Sequence, residues 1–232
     1  MRGKIPVCVG LAGLVLAGCG GGGSSNNSSG GGSTPTTPTN HSPIITATVN
    51  SSFGISQQTT FTFTASTSDP DGDAVSVSWN FGDGTAASGN TVSHVYTSGG
   101  SFNVVATASD SKGASTPSGN ITVVAGSMTG NWVVNLSTCG TFNMSLTQSV
   151  GTVTGTFVMP SAFCNASAGS TGKTDPAEPG TIDGNGNVQI RLKVGVFLDF
   201  YIRGKMDSTG QVVTGGAFNS GFNGDAITMR KQ

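Results

Sequence analysis

Short runs in which apolar and polar residues alternate constrain the fold of this 232-residue chain more than any other feature. Between Pro43 and Ala125 these runs are separated by Gly, Asp, Ser and Asn. Alternation places every second side chain on one face of a β-strand, so each run can bury one face in a core. The apolar positions are Phe61 and Phe63, then Val75, Val77, Trp79 and Phe81, then Phe102, Val104, Ala106 and Ala108. No helical periodicity of useful length competes, and residues 41–126 are predicted to form an antiparallel β-sandwich.

The same alternation continues after Gly126 to the C-terminus, with strands joined by Gly-containing turns. The predicted strands are residues 131–137, 141–148, 151–159, 186–194, 196–205, 210–218 and 224–230, with a short extra strand near Thr181. Seven or eight strands that succeed one another directly predict a small up-and-down β-barrel for residues 127–232. The fold class is therefore all-β, an Ig-like sandwich followed by a barrel.

Two regions of the predicted barrel leave alternatives open. The segment Pro160–Gly180 is too long for a simple turn, and it either covers a barrel mouth as a lid or is a disordered insertion. The inner faces of Val194, Val196, Leu198 and Phe200 either line a cavity or fill the barrel with side chains.

The N-terminus has the pattern of a secretion signal. Arg2 and Lys4 precede an apolar stretch from Ile5 to Leu16 that is too short to span a bilayer comfortably. This stretch ends in Leu16-Ala17-Gly18-Cys19, which resembles the lipobox of bacterial lipoproteins. The resemblance implies removal of residues 1–18 and acylation of Cys19. In that family, Gly20 in place of Asp after the cysteine implies the outer membrane of a Gram-negative cell. The alternative is an ordinary signal peptide that contains a cysteine.

A segment without charge follows Cys19. Residues 20–40 are only Gly, Ser, Asn, Thr and Pro. Such a segment buries nothing and behaves as a flexible tether, with a root-mean-square reach of about 25 Å. Residues 19–40 are therefore predicted to space a folded head from the membrane to which the lipid attaches.

Four motifs within the predicted sandwich occur in a particular order. They are Ser68-Asp69-Pro70-Asp71-Gly72-Asp73, Trp79-Asn80-Phe81-Gly82-Asp83-Gly84, Ser93-His94-Val95-Tyr96 and Ala108-Ser109-Asp110-Ser111-Lys112-Gly113. In order and spacing this set resembles the polycystic-kidney-disease (PKD) domain family. The resemblance implies an Ig-like sandwich that acts as a spacer or as a binding face for extracellular protein or polysaccharide.

The WNFGDG motif also makes physical sense from its residues. Trp79 and Phe81 share a parity and can fill the space between two sheets. Gly82 and Gly84 allow positive φ in the turn that ends the strand, and Asp83 can hydrogen-bond the turn backbone.

His94 is predicted to be structural. His94 and Tyr96 are two residues apart and face one side of their strand, whereas Ser93 points to the other face and cannot easily reach His94. The chain has only two histidines and lacks a Gly-x-Ser-x-Gly elbow, a zinc-ligand spacing and a phosphate loop. We therefore expect a protein that is not an enzyme.

The acidic residues of the sandwich that are candidates for binding a metal ion are Asp69, Asp71, Asp73 and Asp110. Closely spaced carboxylates around Gly72 resemble the oxygen-rich loops that Ca²⁺ prefers, although the terminal Glu of an EF-hand is absent. The alternatives are one Ca²⁺ ion held by residues 69–73, with or without Asp110, and a set of turn-capping carboxylates. No cofactor is required by either alternative.

Two features mark the predicted barrel. Cys139 and Cys164 lie far from the signal segment and are a reasonable disulfide in an oxidising compartment. Gly130-x-Trp132 on the first strand, with Arg230 on the last, is similar to the arrangement in lipocalin and avidin-type barrels. That resemblance implies that Arg230 stacks on Trp132 and closes one end of the barrel.

The charge pattern excludes one class of partner. The formal net charge is −1, and the longest basic run is the pair Arg230-Lys231, so nucleic acid is not an expected partner. The sequence favours a non-catalytic, lipid-anchored display protein of the cell envelope. The alternatives are a carrier that binds a small apolar ligand in the barrel and an accessory part of a secreted hydrolase system.

Overall fold

The computed structural model describes residues 37–161, 163–165, 170–194, 198–219 and 222–232. Within these ranges the regular elements are eighteen β-strands and one short 3-10 turn at Phe163–Asn165, which confirms the predicted all-β class. The described residues contain no helix that is both long and apolar enough to span a membrane. The predicted signal peptide, Cys19 and the tether up to residue 36 lie outside the described residues.

The N-terminal part is a two-sheet sandwich. One sheet has the order β1-β3-β6, and its strands are β1 (Ile44–Val49), β3 (Phe61–Ser68) and β6 (Thr91–His94). The second has the order β2-β9-β7-β4-β5, with β8 paired to β7. Its strands are β2 (Phe53–Ile55), β4 (Val75–Asn80), β5 (Ala86–Ser88), β7 (Gly100–Asp110), β8 (Ser115–Pro117) and β9 (Ile121–Gly126).

The core of the sandwich is aromatic, as the alternation predicted. Trp79 and Phe81 are almost fully buried, and the rings of both lie against Phe63, with ring centres 5.6 and 5.4 Å away. Tilted aromatic pairs of this kind add about 0.5–1.5 kcal/mol each beyond the area they bury. The indole N–H of Trp79 donates to the carbonyl of Gly89 at 2.9 Å, so its polar atom is satisfied inside the core.

The C-terminal part is a closed barrel of eight antiparallel strand positions. Its strands are β10 (Gly130–Leu136), β11 (Gly140–Ser149), β12 (Thr152–Met159), β13 (Ser170–Thr174), β14 (Gly180–Ile182), β15 (Asn187–Val194), β16 (Leu198–Met206), β17 (Val212–Asn219) and β18 (Phe222–Lys231). Strand β10 pairs with both β11 and β18, and β11 pairs with β12, so the ring has no open edge. The predicted barrel is confirmed.

One barrel position is divided between two short strands. Both β13 and β14 lie between β12 and β15 and pair with each of them. Strand β14 is the extra strand predicted near Thr181. Strand β13 corrects the interpretation of Pro160–Gly180 as a single loop, because its five residues complete the ring. The segment Ser-Thr-Gly-Lys-Thr has no large apolar side chain, so its strand depends on pairing with its neighbours.

The inward-facing side chains of the barrel pack into one continuous core. Phe200 is one of them and is fully buried, whereas the side chains of Val194, Val196 and Leu198 lie outside the described residues. Gly172 also faces inward, and a β-carbon there would overlap the ring of Phe157. The core side chains include Trp132, Val134, Leu136, Phe142, Met144, Leu146, Val153, Phe157, Met159, Val188, Ile190, Leu192, Phe200, Ile202, Met206, Val213, Ile227 and Met229.

The cation near Trp132 is Lys231, which corrects the expectation for Arg230. The ammonium of Lys231 lies 5.7 Å from the ring centre of Trp132 and donates to the carbonyl of Ser127 at 2.9 Å. The physical reason is strand parity. Lys231 is the register partner of Trp132, while Arg230 pairs with Val133 and points outward.

The sandwich and the barrel share a buried junction. Ile55, from β2 of the sandwich, is fully buried and belongs to the barrel core, together with Met128 from the connecting segment. The side-chain amide of Gln148 donates to the carbonyl of Ser56 at 3.0 Å, and that of Gln58 donates to the carbonyl of Ile182 at 3.0 Å. The turn after β2 therefore packs on one end of the barrel.

Candidate functional site

The acidic loop follows β3 and brings three predicted residues together. Asp69, Asp71 and Asp73 each offer one carboxylate oxygen, and these oxygens all lie within 4.8 Å of one another. Asp69 Oδ1 accepts the backbone N–H groups of Asp71 at 2.9 Å and Asp73 at 3.2 Å. Gly72 has φ 78°, which lets the chain turn tightly between them.

The remaining oxygen of Asp69 is the unusual atom of this loop. Asp69 Oδ2 is buried and has no hydrogen-bond partner among the described residues. A buried carboxylate oxygen without a partner is costly, and a bound cation would satisfy it. Ca²⁺ takes six to eight oxygen ligands, so three carboxylates with additional carbonyl or water oxygens fit its chemistry.

The residues that lead into the sandwich contact the same loop. The backbone N–H of His41 donates to Asp71 Oδ2 at 2.6 Å, and the ring nitrogen Nδ1 lies 2.9 Å from Asp71 Oδ1. These hydrogen bonds from the His41 backbone and ring hold the pKa of Asp71 below its usual value. The sequence did not predict this contact, because residues 41 and 71 are 30 positions apart and meet only in the folded chain.

Asp110 lies outside the group of three and has another role. Its Oδ1 accepts the backbone N–H groups of Lys112 at 2.8 Å and Ala114 at 2.9 Å, which caps the turn between β7 and β8. Its Oδ2 accepts the side-chain amide of Asn40 at 3.0 Å. The hydrogen bond from Asn40 is the largest influence that lowers the pKa of Asp110. Asn40, predicted as the last residue of the tether, is thus attached to the sandwich.

His94 has structural partners on two sides. Its Nε2 lies 2.7 Å from Asp83 Oδ2, and its ring stacks on Phe81 with the centres 4.2 Å apart. Asp83 Oδ1 also accepts the backbone N–H of Thr85 at 3.0 Å and its hydroxyl at 2.6 Å. Burial alone would raise the pKa of Asp83, but the hydrogen bonds from Thr85 and His94 outweigh it, and the pKa is lowered.

Tyr96 completes this corner of the sandwich. Its hydroxyl donates to the carbonyl of Phe81 at 2.9 Å, and its ring meets the ring of His94 edge-on at 4.6 Å. Burial, with a smaller contribution from the Asp83 charge, raises the pKa of Tyr96 to about 12. The residues of the WNFGDG and SHVY motifs therefore fix the turn that follows β4. Gly82 and Gly84 have φ 80° and 89°, as that turn requires.

The two downstream cysteines form a disulfide, as the sequence predicted. Cys139 and Cys164 are bonded, and their Cα atoms are 4.5 Å apart. The bond ties the turn after β10 to the 3-10 turn after β12. Phe163, beside Cys164, packs edge-on against Phe142 with the ring centres 5.2 Å apart.

Sequence reasoning missed a charged cluster on the outer wall of the barrel. Arg191 contacts Asp199 at 2.6 Å, Glu178 at 2.7 Å and Asp175 at 3.4 Å. The hydrogen bond to Asp199 is the largest influence that raises the pKa of Arg191. Tyr201 is the register partner of Arg191, and its hydroxyl donates to Glu178 at 2.8 Å. Strand parity indicated that Arg191, Asp199 and Tyr201 face outward, but no local signal pointed to Asp175 and Glu178 as their partners.

The comparison with protein families concerns the sandwich. Residues 40–125 match the family model described as PKD domain. Residues 40–125 are therefore similar to PKD domains. The match confirms the resemblance that the four sequence motifs indicated.

Two solved structures are similar to parts of this chain. The crystal structure of the PKD1 domain of Vibrio anguillarum Epp has 24% sequence identity and a TM-score of 0.32, and the match covers 38% of this chain and 96% of that one. A structure of carbohydrate-binding modules with promiscuous specificity, from the β-sandwich superfamily, has 15% identity and a TM-score of 0.36. That match covers 84% of this chain and 93% of the other. The search of curated proteins finds no match.

Proposed function

We propose that this protein is a lipid-anchored, non-catalytic component of the bacterial cell envelope that holds its PKD domain and barrel out to bind an extracellular polymer. The observation that carries the proposal is the PKD domain itself, which directly follows an uncharged segment and the Leu16-Ala17-Gly18-Cys19 motif. The polar residues of the PKD motifs support the non-catalytic part of the proposal, because Asp83, His94 and Tyr96 make contacts that stabilise the fold.

The barrel is proposed to serve as a second rigid display surface. Its described inward-facing side chains pack against one another, so they occupy the space that a small apolar ligand would need. This observation favours display over the alternative role as a carrier. The buried junction around Ile55 would keep the two surfaces in one orientation.

The anchor is tested with the full chain in a Gram-negative host. The wild type should partition into the detergent phase and incorporate labelled fatty acid, while Cys19→Ser should do neither, because the thiol is the acylation site. Cys8→Ser is the matched control and should behave like the wild type. Equal labelling of the wild type and Cys19→Ser would overturn the anchor.

The interaction is tested by pull-down of the detergent-solubilised full chain on purified cell-wall and extracellular polymers. Retention on at least one polymer, competed by the soluble form of that polymer, is the expected result. Absence of binding to every polymer, with a normal surface phenotype in a deletion strain, would overturn the function.

We further propose that the loop of Asp69, Asp71 and Asp73 binds one Ca²⁺ ion. The buried Oδ2 of Asp69 and the short distances among the three carboxylates support it. Calorimetry with Ca²⁺ should give a saturable heat, and chelator should lower the melting temperature. Asp73→Asn should weaken the binding, while Asp225→Asn on the barrel is the control. No heat together with an unchanged melting temperature in chelator would overturn this proposal.

A further inference from the structure

An open groove lies on the outer wall of the barrel across β14, β15 and β16. Its volume is about 380 Å³. The polar residues that line it are Thr181, Asp183, Asn187, Gln189 and Arg203. The neighbours of these residues along the strands, such as Ile190 and Ile202, point into the barrel core and are fully buried.

Strand register arranges the groove residues in rows. Thr181 is the register partner of Gln189, and Gln189 is the partner of Arg203, so the three form one cross-strand row. Asn187 pairs with Lys205 and begins the next outward row. The hydroxyl, amide and guanidinium groups therefore face the same solvent-filled groove on a rigid sheet.

Arg203 is held firmly by neutral groups. Its Nε donates to the side-chain oxygen of Gln189 at 3.1 Å. Its guanidinium carbon lies 5.4 Å from the ring centre of Tyr201 and 5.5 Å from that of Phe218. Rings of this kind attract a guanidinium and fix its plane without removing its charge.

The charge of Arg203 is not matched by a carboxylate. Among the described residues, no Asp or Glu oxygen lies within 4.0 Å of its guanidinium nitrogens. Arg191, on the neighbouring strand, differs because three carboxylates surround it. The unused donors of Arg203 form a planar fork that matches the two oxygens of an external oxyanion.

Asp183, the acidic residue of the groove, is already satisfied. Its Oδ1 accepts the backbone N–H groups of Asn185 and Asn187, both at 2.9 Å. Its Oδ2 accepts the side-chain amide of Asn187 at 2.7 Å. Lys205 adds a second positive charge beside the groove, opposite Asn187. The groove thus offers one guanidinium and several neutral hydrogen-bonding groups to a ligand, and the charge of Lys205 beside it acts on Asp183.

We infer that this groove binds an acidic polysaccharide, with the Arg203 guanidinium on a carboxylate of the sugar. Thr181, Gln189 and Asn187 supply hydroxyl and amide groups for the sugar hydroxyls. A chain of acidic sugars matches this combination, because each unit carries one carboxylate among several hydroxyls. The inference rests on the proposed function and names the class of polymer and the surface that binds it.

The test measures binding of the detergent-solubilised full chain to polygalacturonate, to its carboxyl-reduced neutral analogue and to a sulfated glucan. The wild type should bind polygalacturonate and not the neutral analogue. Arg203→Gln should weaken the affinity about tenfold or more, as the loss of charge-assisted hydrogen bonds predicts. Arg230→Gln, on the outer face of β18, is the matched control and should leave the affinity within about twofold.

A second variant separates binding from folding. Arg203→Lys keeps a positive charge and an aliphatic stem over the rings but removes the fork, so it should also weaken binding to polygalacturonate. Equal affinity of the wild type and both Arg203 variants would overturn the site while leaving the proposed function intact. Tighter binding of the wild type to the sulfated glucan or to the neutral analogue would overturn the claim that Arg203 recognises a carboxylate. Failure of all three polymers to bind would overturn the inference alone, whereas failure of every polymer in the wider pull-down described above would overturn the proposed function.

Discussion

The backbone N–H of Val150 donates to the side-chain oxygen of Gln57 across the junction of the sandwich and the barrel, at 2.6 Å. Both residues have left-handed backbones, with φ 65° at Gln57 and 53° at Val150. A β-branched residue in this region is strained. Gln57 is in turn held by the carbonyls of Tyr96 and Thr97, at 2.8 and 3.0 Å. The junction therefore stabilises a conformation that valine alone would avoid.

Relief of this strain should stabilise the protein. Val150→Asn should raise the free energy of unfolding by about 0.5–1 kcal/mol, because asparagine tolerates the left-handed region. Val150 is 59% exposed, so the change removes little buried surface. The measurement is chemical denaturation of both proteins.

Val158→Asn is the control for that variant. Val158 is 55% exposed but lies in the regular strand β12, where β-branched residues are favoured. It should lower the free energy of unfolding slightly. Stabilisation by both substitutions, or by neither, would contradict the explanation from backbone strain.

Lys231 should make stability depend on pH in the alkaline range. Burial lowers its pKa below the ordinary value, so the unfolded chain binds this proton more tightly than the folded protein. The cost of the buried charge is present at neutral pH and is lost as the pH rises through the folded pKa toward about 10.4. The free energy of unfolding of the wild type, relative to Lys231→Met, should therefore rise as the pH increases toward about 10.4. Arg230→Met should show no such trend relative to the wild type, and a flat difference for Lys231→Met would refute the assignment.

The disulfide should contribute strongly to the stability of the barrel. Cys139 and Cys164 are separated by 25 residues, and the chain-entropy model gives about 3–4 kcal/mol for closing such a loop. The Cys139→Ala/Cys164→Ala variant should unfold at a correspondingly lower denaturant concentration. Unreduced protein should also gain no mass at these two cysteines on treatment with iodoacetamide. Full alkylation without reduction would contradict the bond.

Asp83 should contribute to acid unfolding. Its pKa is lowered in the folded protein, because the hydrogen bonds from Thr85 and His94 outweigh the effect of burial. Its stabilising effect is present above the unfolded pKa of about 3.9 and is lost as the pH falls through the folded pKa. The stability difference between the wild type and Asp83→Asn should therefore shrink below about pH 4. A difference that stays constant or grows with acid would refute this role, and Thr85→Ala should reduce the effect in part.

Several features could be predicted because their signals are local. Alternation along β4 predicted that Trp79 lies in the core. The glycines of WNFGDG predicted a turn with positive φ. The pairing of Cys139 with Cys164 could be predicted by elimination, since the other two cysteines lie in or directly after the predicted signal segment. The partner of Trp132 could also have been predicted. Ile227 and Met229 face inward, and the same parity places Lys231 on the inward face of β18.

Other features had no local signal. Strand β13 has a weak pattern and exists through its pairing with β12 and β15. His41 contacts Asp71, and carboxylates contact Arg191, but no pattern in the sequence near these residues indicates that they are partners. The burial of Asp69 Oδ2 without a hydrogen-bond partner depends on how the loop packs in the folded chain.

By itself the sequence determined the strand-rich class, the positions of most strands, the PKD motifs and the cysteine pair. These follow from side-chain parity and turn chemistry, which act over a few residues. Only the tertiary structure decided how β13 and β14 complete the barrel, how the junction packs and how the outer groove is arranged. Each of these depends on contacts between residues far apart in the chain, such as Gln57 and Val150, 93 residues apart. Such contacts arise from the packing of whole sheets, which no short stretch of sequence encodes.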